Sequence, residues 1–109
     1  MQFAINVGLL IQQLPKSTIN AAYSNQLVRC SSSPGANYRA ACRGKSTADF
    51  VNKLKIVEEE LDESIYFLEL LEYFIPDFRS AIEKLIKEGN KLLAITVTSI
   101  KNTRMPKQK

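Results

Sequence analysis

The chain has 109 residues, which is enough for one domain with a modest core. Hydrophobic residues make up 45% of the chain and charged residues 24%, as in typical globular domains, and the net charge is +4. Histidine is absent, so one copy cannot assemble a Ser-His-Asp or Cys-His catalytic group. Any acid–base chemistry would have to use carboxylates, lysine or tyrosine. We predict a protein that is not an enzyme and binds no cofactor.

The N-terminal stretch "MQFAINVGLLIQQL" lacks the basic start and the cleavage site of a signal peptide. No apolar run reaches the roughly 18 residues that span a bilayer, so we predict a cytoplasmic protein without a membrane partner. The stretch instead predicts an amphipathic helix over residues 2–14, which Pro15 ends. The short polar link after Pro15 predicts that the next helix folds back antiparallel. The apolar positions of the first helix are Phe3, Val7, Leu10 and Leu14.

The second predicted helix covers residues 19–43 and contains the breaker pair Pro-Gly within "SSSPGAN". Apolar residues recur at steps of three and four on both sides of the pair, so the pattern predicts either one helix with a proline inside or two helices broken at Ser33. We adopt the first alternative, a helix kinked near Pro34. The spaced residues are Tyr23, Leu27 and Cys30 before the pair, and Tyr38, Ala41 and Cys42 after it.

The third predicted helix is the longest, over residues 46–75. Ser46 or Thr47 can cap its start and Pro76 ends it. A second apolar stripe indicates contact with more than one neighbouring helix. The heptad positions are Phe50, Leu54, Val57, Leu61, Ser64, Leu68, Leu71 and Ile75, and the second stripe is Ile56, Phe67, Leu70 and Phe74.

The fourth predicted helix covers residues 77–102, and Gly89 within it is expected to allow a close helix crossing. Strand patterns of useful length are absent. The sequence therefore predicts an all-α fold, an up-down antiparallel four-helix bundle whose second helix is kinked near Pro34 and whose third helix is long. Residues 1–102 form the bundle domain, and residues 103–109 form a basic flexible tail. The spaced residues of the fourth helix are Phe78, Ile82, Leu85, Gly89, Leu92 and Thr96.

Two features near the link between the second and third helices have simple interpretations. Cys30 and Cys42 are too far apart for a CxxC motif, and we predict two buried, reduced thiols. The segment "RAACRGKS" resembles the end of a phosphate-binding loop, but Arg39 stands where that motif requires glycine, and no strand precedes it. We predict instead that Gly44 caps the second helix.

Positive charge is concentrated in two parts of the chain. Residues 29–55 carry a net +5 and residues 101–109 a net +4, whereas residues 56–77 carry a net −8. Basic segments of this kind attract nucleic-acid phosphates, although they can equally be a solvated surface. The candidate nucleic-acid contacts are Lys45, Lys53, Lys55, Lys101, Arg104, Lys107 and Lys109.

The acidic run "EEELDE" needs positively charged partners, and the preceding helix offers two arginines. We predict ion pairs between the two helices, within the bundle or between subunits. The alternatives are a phosphate-binding role for the arginines and a carboxylate metal site in the acidic run. Because di-iron bundles use Glu-x-x-His pairs, we predict no metal. The predicted ion-pair network is Arg39, Arg43, Glu58, Glu59, Asp62 and Glu63.

Residues 25–71, "NQLVRCSSSPGANYRAACRGKSTADFVNKLKIVEEELDESIYFLELL", resemble a family of small bacterial four-helix bundle proteins that are often encoded in intervening sequences of 23S ribosomal RNA genes. Many members read Ala-Asn-Ile-Ala-Glu-Gly where this chain has "ANYRAA", so the acid is missing and Arg39 appears one place earlier. The matching positions are Gln26, Leu27, Arg29, Ser33, Ala36, Asn37, Arg43, Ser46, Phe50, Lys53, Leu54 and Glu59.

The resemblance implies an up-down bundle that assembles as a ring-like homopentamer. It also implies likeness to the accessory protein of diversity-generating retroelements, a basic pentameric barrel that binds nucleic acid and reverse transcriptase. It supplies no catalytic residues. Our hypothesis is a non-enzymatic oligomer whose partners are itself and RNA, another nucleic acid or a nucleic-acid-processing protein. The alternative is a structural or protein-binding homopentamer without a nucleic-acid role.

Overall fold

The computed structural model describes residues 1–44 and 46–104. Four α-helices account for most of them: α1 (Gln2–Gln13), α2 (Thr18–Cys42), α3 (Thr47–Phe74) and α4 (Arg79–Arg104), with a 3₁₀ turn at Pro76–Phe78. These residues contain no strand. None of the described helices is both long and apolar enough to cross a bilayer.

The helices form an up-down bundle. Each packs against its neighbour in sequence, and α4 also packs against α1, so the four helices follow one another around a common core. The molecule is elongated, with extents of 55 × 21 × 19 Å. The predicted all-α four-helix fold is therefore confirmed.

The four-three seams face the interior, as their spacing predicts. On α3 the seam from Leu54 to Ile75 is buried, and Leu68 and Leu71 are wholly so. Burial of each such side chain contributes about 1.5–3 kcal/mol. The core is completed by Phe3, Val7, Leu10, Leu14, Leu27, Cys30, Ile82 and Leu85 from the other helices.

The helix ends follow local capping chemistry. The Ser46 hydroxyl accepts a hydrogen bond of 3.1 Å from the Asp49 backbone N–H, which confirms Ser46 as the cap of α3. Helix α3 ends at Phe74, before Pro76. Helix α4 begins two residues later than predicted because Pro76–Phe78 first forms the 3₁₀ turn. It ends at Arg104, two residues past the predicted bundle end, and residues 105–109 of the predicted tail lie outside the described residues.

Helix α2 runs through Pro34 without a break, which decides between the two alternatives for this segment. Pro34 removes the usual hydrogen-bond donor for the Cys30 carbonyl, but its ring is buried in the seam between Cys30 and Ala41. Tyr38 and Cys42 are exposed, so the prediction of two buried thiols is wrong for Cys42. Cys42 lies one position past the seam residue Ala41.

The structure corrects the predicted cap of α2 by one residue. Arg43 is the C-cap, with φ of −101°, and no described glycine has a positive φ. A Cβ at Gly44 would overlap the Asp49 carboxylate and lie 3.1 Å from the Ala41 carbonyl oxygen. Close packing of the turn against the first turn of α3 therefore favours glycine at this position.

Candidate nucleic-acid interface

The up-down order collects basic segments at one end of the molecule. Helix α2 ends there, α3 begins there and α4 ends there. We define the basic end as residues 36–44, 46–55 and 97–104, which carry six basic residues and one acidic residue. The other described residues carry six basic and ten acidic residues, so charge is strongly polarised along the bundle.

The predicted nucleic-acid contacts are distributed unevenly over this end. Lys53 is half-buried on α3, and Lys101 is exposed on α4. Arg104 is the last residue of α4. Lys45, Lys107 and Lys109 lie outside the described residues.

Lys55 has a different environment from the rest of the set. It lines a groove of about 470 Å³ between α3 and α4, together with Glu58, Glu59 and Asp62. Three carboxylates beside one ammonium repel a phosphate more than the lysine attracts it. The geometry therefore favours Lys53 and Lys101 over Lys55 as phosphate contacts.

Helix dipoles stabilise part of the positive charge at the basic end. Helices α2 and α4 both end at the basic end, and cations in a last helical turn are stabilised by the partial negative charge there. Arg39 lies in the last turn of α2. Lys53 lies past the first turn of α3, beyond the reach of the helix dipole. The dipole therefore does not stabilise its positive charge.

Within one chain, Arg29 pairs with the acidic run in place of the predicted partners Arg39 and Arg43. Its guanidinium lies 3.2 Å from a carboxylate oxygen of Glu60 and 2.6 Å from one of Glu63. Arg39 and Arg43 are exposed, and neither forms an ion pair within the described part of the chain. Because α2 and α3 are antiparallel, Arg39 lies about 15 Å along α2 from the acids that Arg29 reaches. Pairing between subunits stays a prediction.

A buried polar contact lies beside the Arg29 pairs. The Ser64 hydroxyl donates to the Glu60 carbonyl at 2.7 Å and lies 3.3 Å from Cys30 Sγ. Burial raises the pKa of the Cys30 thiol, against the opposing effect of the Ser64 hydrogen bond. Desolvation lowers the pKa of Arg29, but the charges of Glu63 and Glu60 outweigh it and the net pKa is raised. These groups fix how α2 sits on α3.

In the part of the chain that the structure describes, no three Asp, Glu or Cys side chains come close enough to hold a metal ion. The acidic groove instead has an apolar side formed by Leu93 and Val97 of α4.

A row of aromatic rings lies on the opposite half of the bundle, and the sequence pattern predicts only part of it. The Tyr23 ring lies 6.1 Å from that of Phe67 and 5.9 Å from that of Phe74, between centroids. Tyr66 and Tyr73 extend the row edge-on at 5.4 and 5.2 Å. The second stripe of α3 predicted the two phenylalanines, but the tyrosines are one position off that stripe.

The comparisons with known proteins agree with this fold. The family model of the 23S rRNA-intervening sequence protein matches residues 1–96. The chain belongs to this family. A crystal structure from Bacteroides thetaiotaomicron, of a protein with unknown function from the S23 ribosomal protein family, is 30% identical with a TM-score of 0.81, covering 92% of this chain and 93% of that one. No curated protein matches the chain significantly.

The family match covers only part of the basic end. The match to 23S rRNA-intervening sequence proteins includes Arg39, Arg43 and Lys53 but stops at residue 96. Lys101 and Arg104 lie beyond it, on the last turns of α4. The basic end therefore combines a part inside the family match with a part outside it.

Proposed function

We propose that this 23S rRNA-intervening sequence protein is a non-enzymatic homo-oligomer that binds RNA or another nucleic acid through its basic end. The observation that carries the proposal is the charge of that end, six basic residues against one acidic residue. A positive surface of this kind attracts the phosphate backbone by Coulomb forces and by release of counterions. Binding of this type depends little on sequence.

Four side chains supply most of the described contact surface. Lys53 and Lys101 belong to the predicted set. Arg39 and Arg43 join them because they are exposed and form no ion pair within the described residues. Lys45, Lys107 and Lys109 add further charge from the sequence.

Assembly of several copies brings several basic ends together in one particle. A ring-like homopentamer, as the family resemblance implies, presents the basic end five times, and contacts made together to one strand raise the effective affinity. Both cysteines in the described residues are free thiols, which supports a cytoplasmic location.

The test compares two sets of four substitutions to glutamine. The first set neutralises the basic end, and the second removes the same charge from exposed residues at the opposite end. Because both variants lose the same net charge, only the position differs. The sets are Arg39, Arg43, Lys53 and Lys101 for the basic end, and Lys16, Arg79, Lys84 and Lys87 for the control.

We expect the first variant to bind single-stranded RNA about 10-fold or more weakly than wild type, and the control to stay within about 3-fold. The readout is fluorescence anisotropy with a labelled oligonucleotide, with circular dichroism to verify folding. Equal losses in both variants would show that net charge alone acts, and would contradict the proposed interface.

The second candidate is a structural or protein-binding homopentamer without a nucleic-acid role. The aromatic row favours it, because Tyr73 is 79% exposed and tyrosine and phenylalanine are enriched in protein interfaces. Acidic residues such as Glu69 and Glu72 near that row repel nucleic acid. This alternative predicts that removing residues 101–109 leaves partner binding intact.

A further inference from the structure

A largely apolar trough of about 280 Å³ opens between α2 and α4, beside the start of α1. Helix α1 has 12 residues, whereas α2 and α4 have 25 and 26. The Met1 nitrogen would lie 3.6 Å from a Cβ at Gly35, so α1 begins beside Gly35 of α2. From there α2 and α4 continue towards the basic end without α1 between them, which leaves the trough open.

The trough has an apolar floor and walls that carry hydroxyl groups. Leu54, Val57 and Leu61 of α3 form the floor. Ser31 of α2 and Thr96 of α4 line the walls and are 3% and 8% exposed. The Ser31 hydroxyl donates to a backbone carbonyl oxygen of its own helix at 3.4 Å, and the Thr96 hydroxyl does the same at 2.9 Å. Their lone pairs are therefore available to accept hydrogen bonds from a ligand.

An aromatic ring and a positive charge lie where the trough meets the basic end. Tyr38 lines the trough and is 55% exposed, so its ring is open to stacking. Arg39 lies one helical turn past Gly35, on the face of α2 that lines the trough. It is exposed and forms no ion pair within the described residues. None of the described lining residues is acidic, and the α-ammonium of Met1 adds a positive charge at the edge.

We propose that one unpaired nucleobase of a bound single strand docks in this trough, while the basic end holds the neighbouring phosphates. The faces of a base are apolar and stack on aromatic side chains, whereas its edge carries hydrogen-bond donors and acceptors. The floor and Tyr38 suit the faces, and the hydroxyls of the walls suit the edge. This inference rests on the proposed function and adds that the ligand is single-stranded.

The size and position of the trough suit one base. Pockets for drug-sized ligands begin at roughly 300 Å³, and the trough is slightly smaller. It therefore takes a single base, which a duplex can supply only by unpairing and unstacking it. Tyr38, Leu54 and Ser99 line the trough and also belong to the basic end, so base and phosphates can come from one stretch of strand. The groove beside Lys55, by contrast, has three carboxylates that repel phosphate.

The test compares the binding of two strands of equal length and charge to the full chain. One is oligouridylate, and the other is an abasic strand with the same ribose-phosphate backbone. We expect the wild type to bind oligouridylate at least about 5-fold more tightly, since that is the smallest effect typical of one base stacked on an aromatic side chain. The readout is fluorescence anisotropy of end-labelled strands at one salt concentration.

Substitutions in the trough separate the base from the backbone. We expect Tyr38→Ala to bind oligouridylate as weakly as the abasic strand, with its affinity for the abasic strand unchanged, and Tyr38→Phe to keep the preference because it keeps the ring. Ser99→Leu fills the trough from α4 and should also abolish the preference. Tyr66→Ala is the matched control, because Tyr66 is 56% exposed but lies in the aromatic row. Circular dichroism verifies that the variants fold.

Equal affinity of the wild type for the two strands would overturn the proposal, because the trough would then be covered by a neighbouring copy or hold another ligand. The same loss of preference in Tyr66→Ala, or loss of abasic binding in Tyr38→Ala, would also overturn it. Equal binding of both strands that weakens with salt would leave the proposed function standing. Binding of neither strand would contradict the proposed function as well.

Discussion

Arg29, Cys30 and Ser64 show how a few side chains set the position of one helix on another. Arg29 bonds two carboxylates of α3 at the surface, and Cys30 contacts Ser64 directly beneath. The surface pairs are screened by water and salt and contribute little to the free energy of unfolding. The Cys30–Ser64 contact is the part that links the two helices, because the other hydrogen bond of each group goes to a carbonyl of its own helix.

The raised pKa of Cys30 predicts a loss of stability at alkaline pH. The unfolded chain ionises this thiol at its ordinary pKa of 9.0, whereas the folded chain keeps the proton to a higher pH. The free energy of unfolding contributed by Cys30 is therefore complete below pH 9.0 and falls as the pH rises towards the folded pKa.

The measurement is urea unfolding from pH 7 to 10.5 for the wild type, Cys30→Ala and Cys42→Ala. We expect the stability difference between the wild type and Cys30→Ala to shrink at the alkaline end. Cys42→Ala removes the exposed thiol and should follow the wild type in parallel. A constant difference for Cys30→Ala would contradict the account of this thiol.

At the scale of the helices, two glycines in helix interiors have opposite environments. Gly89 of α4 is buried where three helices meet, and an added Cβ would lie 3.2 Å from an Ile65 carbon and 3.4 Å from a Phe3 carbon. Gly8 of α1 has no atom within 4 Å of an added Cβ. The close helix crossing predicted for Gly89 is confirmed.

We expect Gly89→Val to lower the free energy of unfolding by about 1–3 kcal/mol, because the larger side chain pushes Phe3 of α1 and Ile65 of α3 away from α4. Gly8→Ala should raise it by about 0.5–1 kcal/mol through helix propensity alone. Chemical denaturation of both variants checks the pair. Stabilisation by both substitutions would show that the crossing at Gly89 is looser than its geometry indicates.

The helices could largely be predicted because the residues that define their buried faces and their ends lie within short segments of the sequence. Regular four-three spacing, prolines after α1 and α3 and the Ser46 cap are properties of short segments. The 3₁₀ start of α4 and the exposure of Cys42 were missed because each depends on a shift of one or two residues relative to the core. The continuity of α2 was predicted as well, because the apolar spacing continues on both sides of Pro34, and the Pro34 ring is buried in that helix.

The candidate site shows where the sequence reasoning failed, although the needed signal was present. Because α2 ends at Cys42 and α3 begins at Thr47, residues at equal distances from this short link lie opposite each other. Arg29 therefore faces Glu60 and Glu63, whereas Arg39 faces the start of α3. The prediction for Arg39 and Arg43 considered only that the two helices are adjacent, and left out the distance of each charge from the link between them.

At the scale of the whole molecule, the up-down topology gathers positive charge at one end of the bundle, although the net charge is modest. The chain carries only +4, yet six of its basic residues and one acidic residue lie on the basic end while ten acids lie elsewhere.

The salt dependence of RNA binding tests the central claim most directly. For single strands, log affinity falls against log salt with a slope of about −0.7 for each phosphate neutralised. We predict a clearly negative slope for the wild type, and a slope smaller by about 2 to 3 units for the variant that neutralises Arg39, Arg43, Lys53 and Lys101. Affinity that does not change with salt, or the same slope in both proteins, would contradict phosphate binding by the basic end.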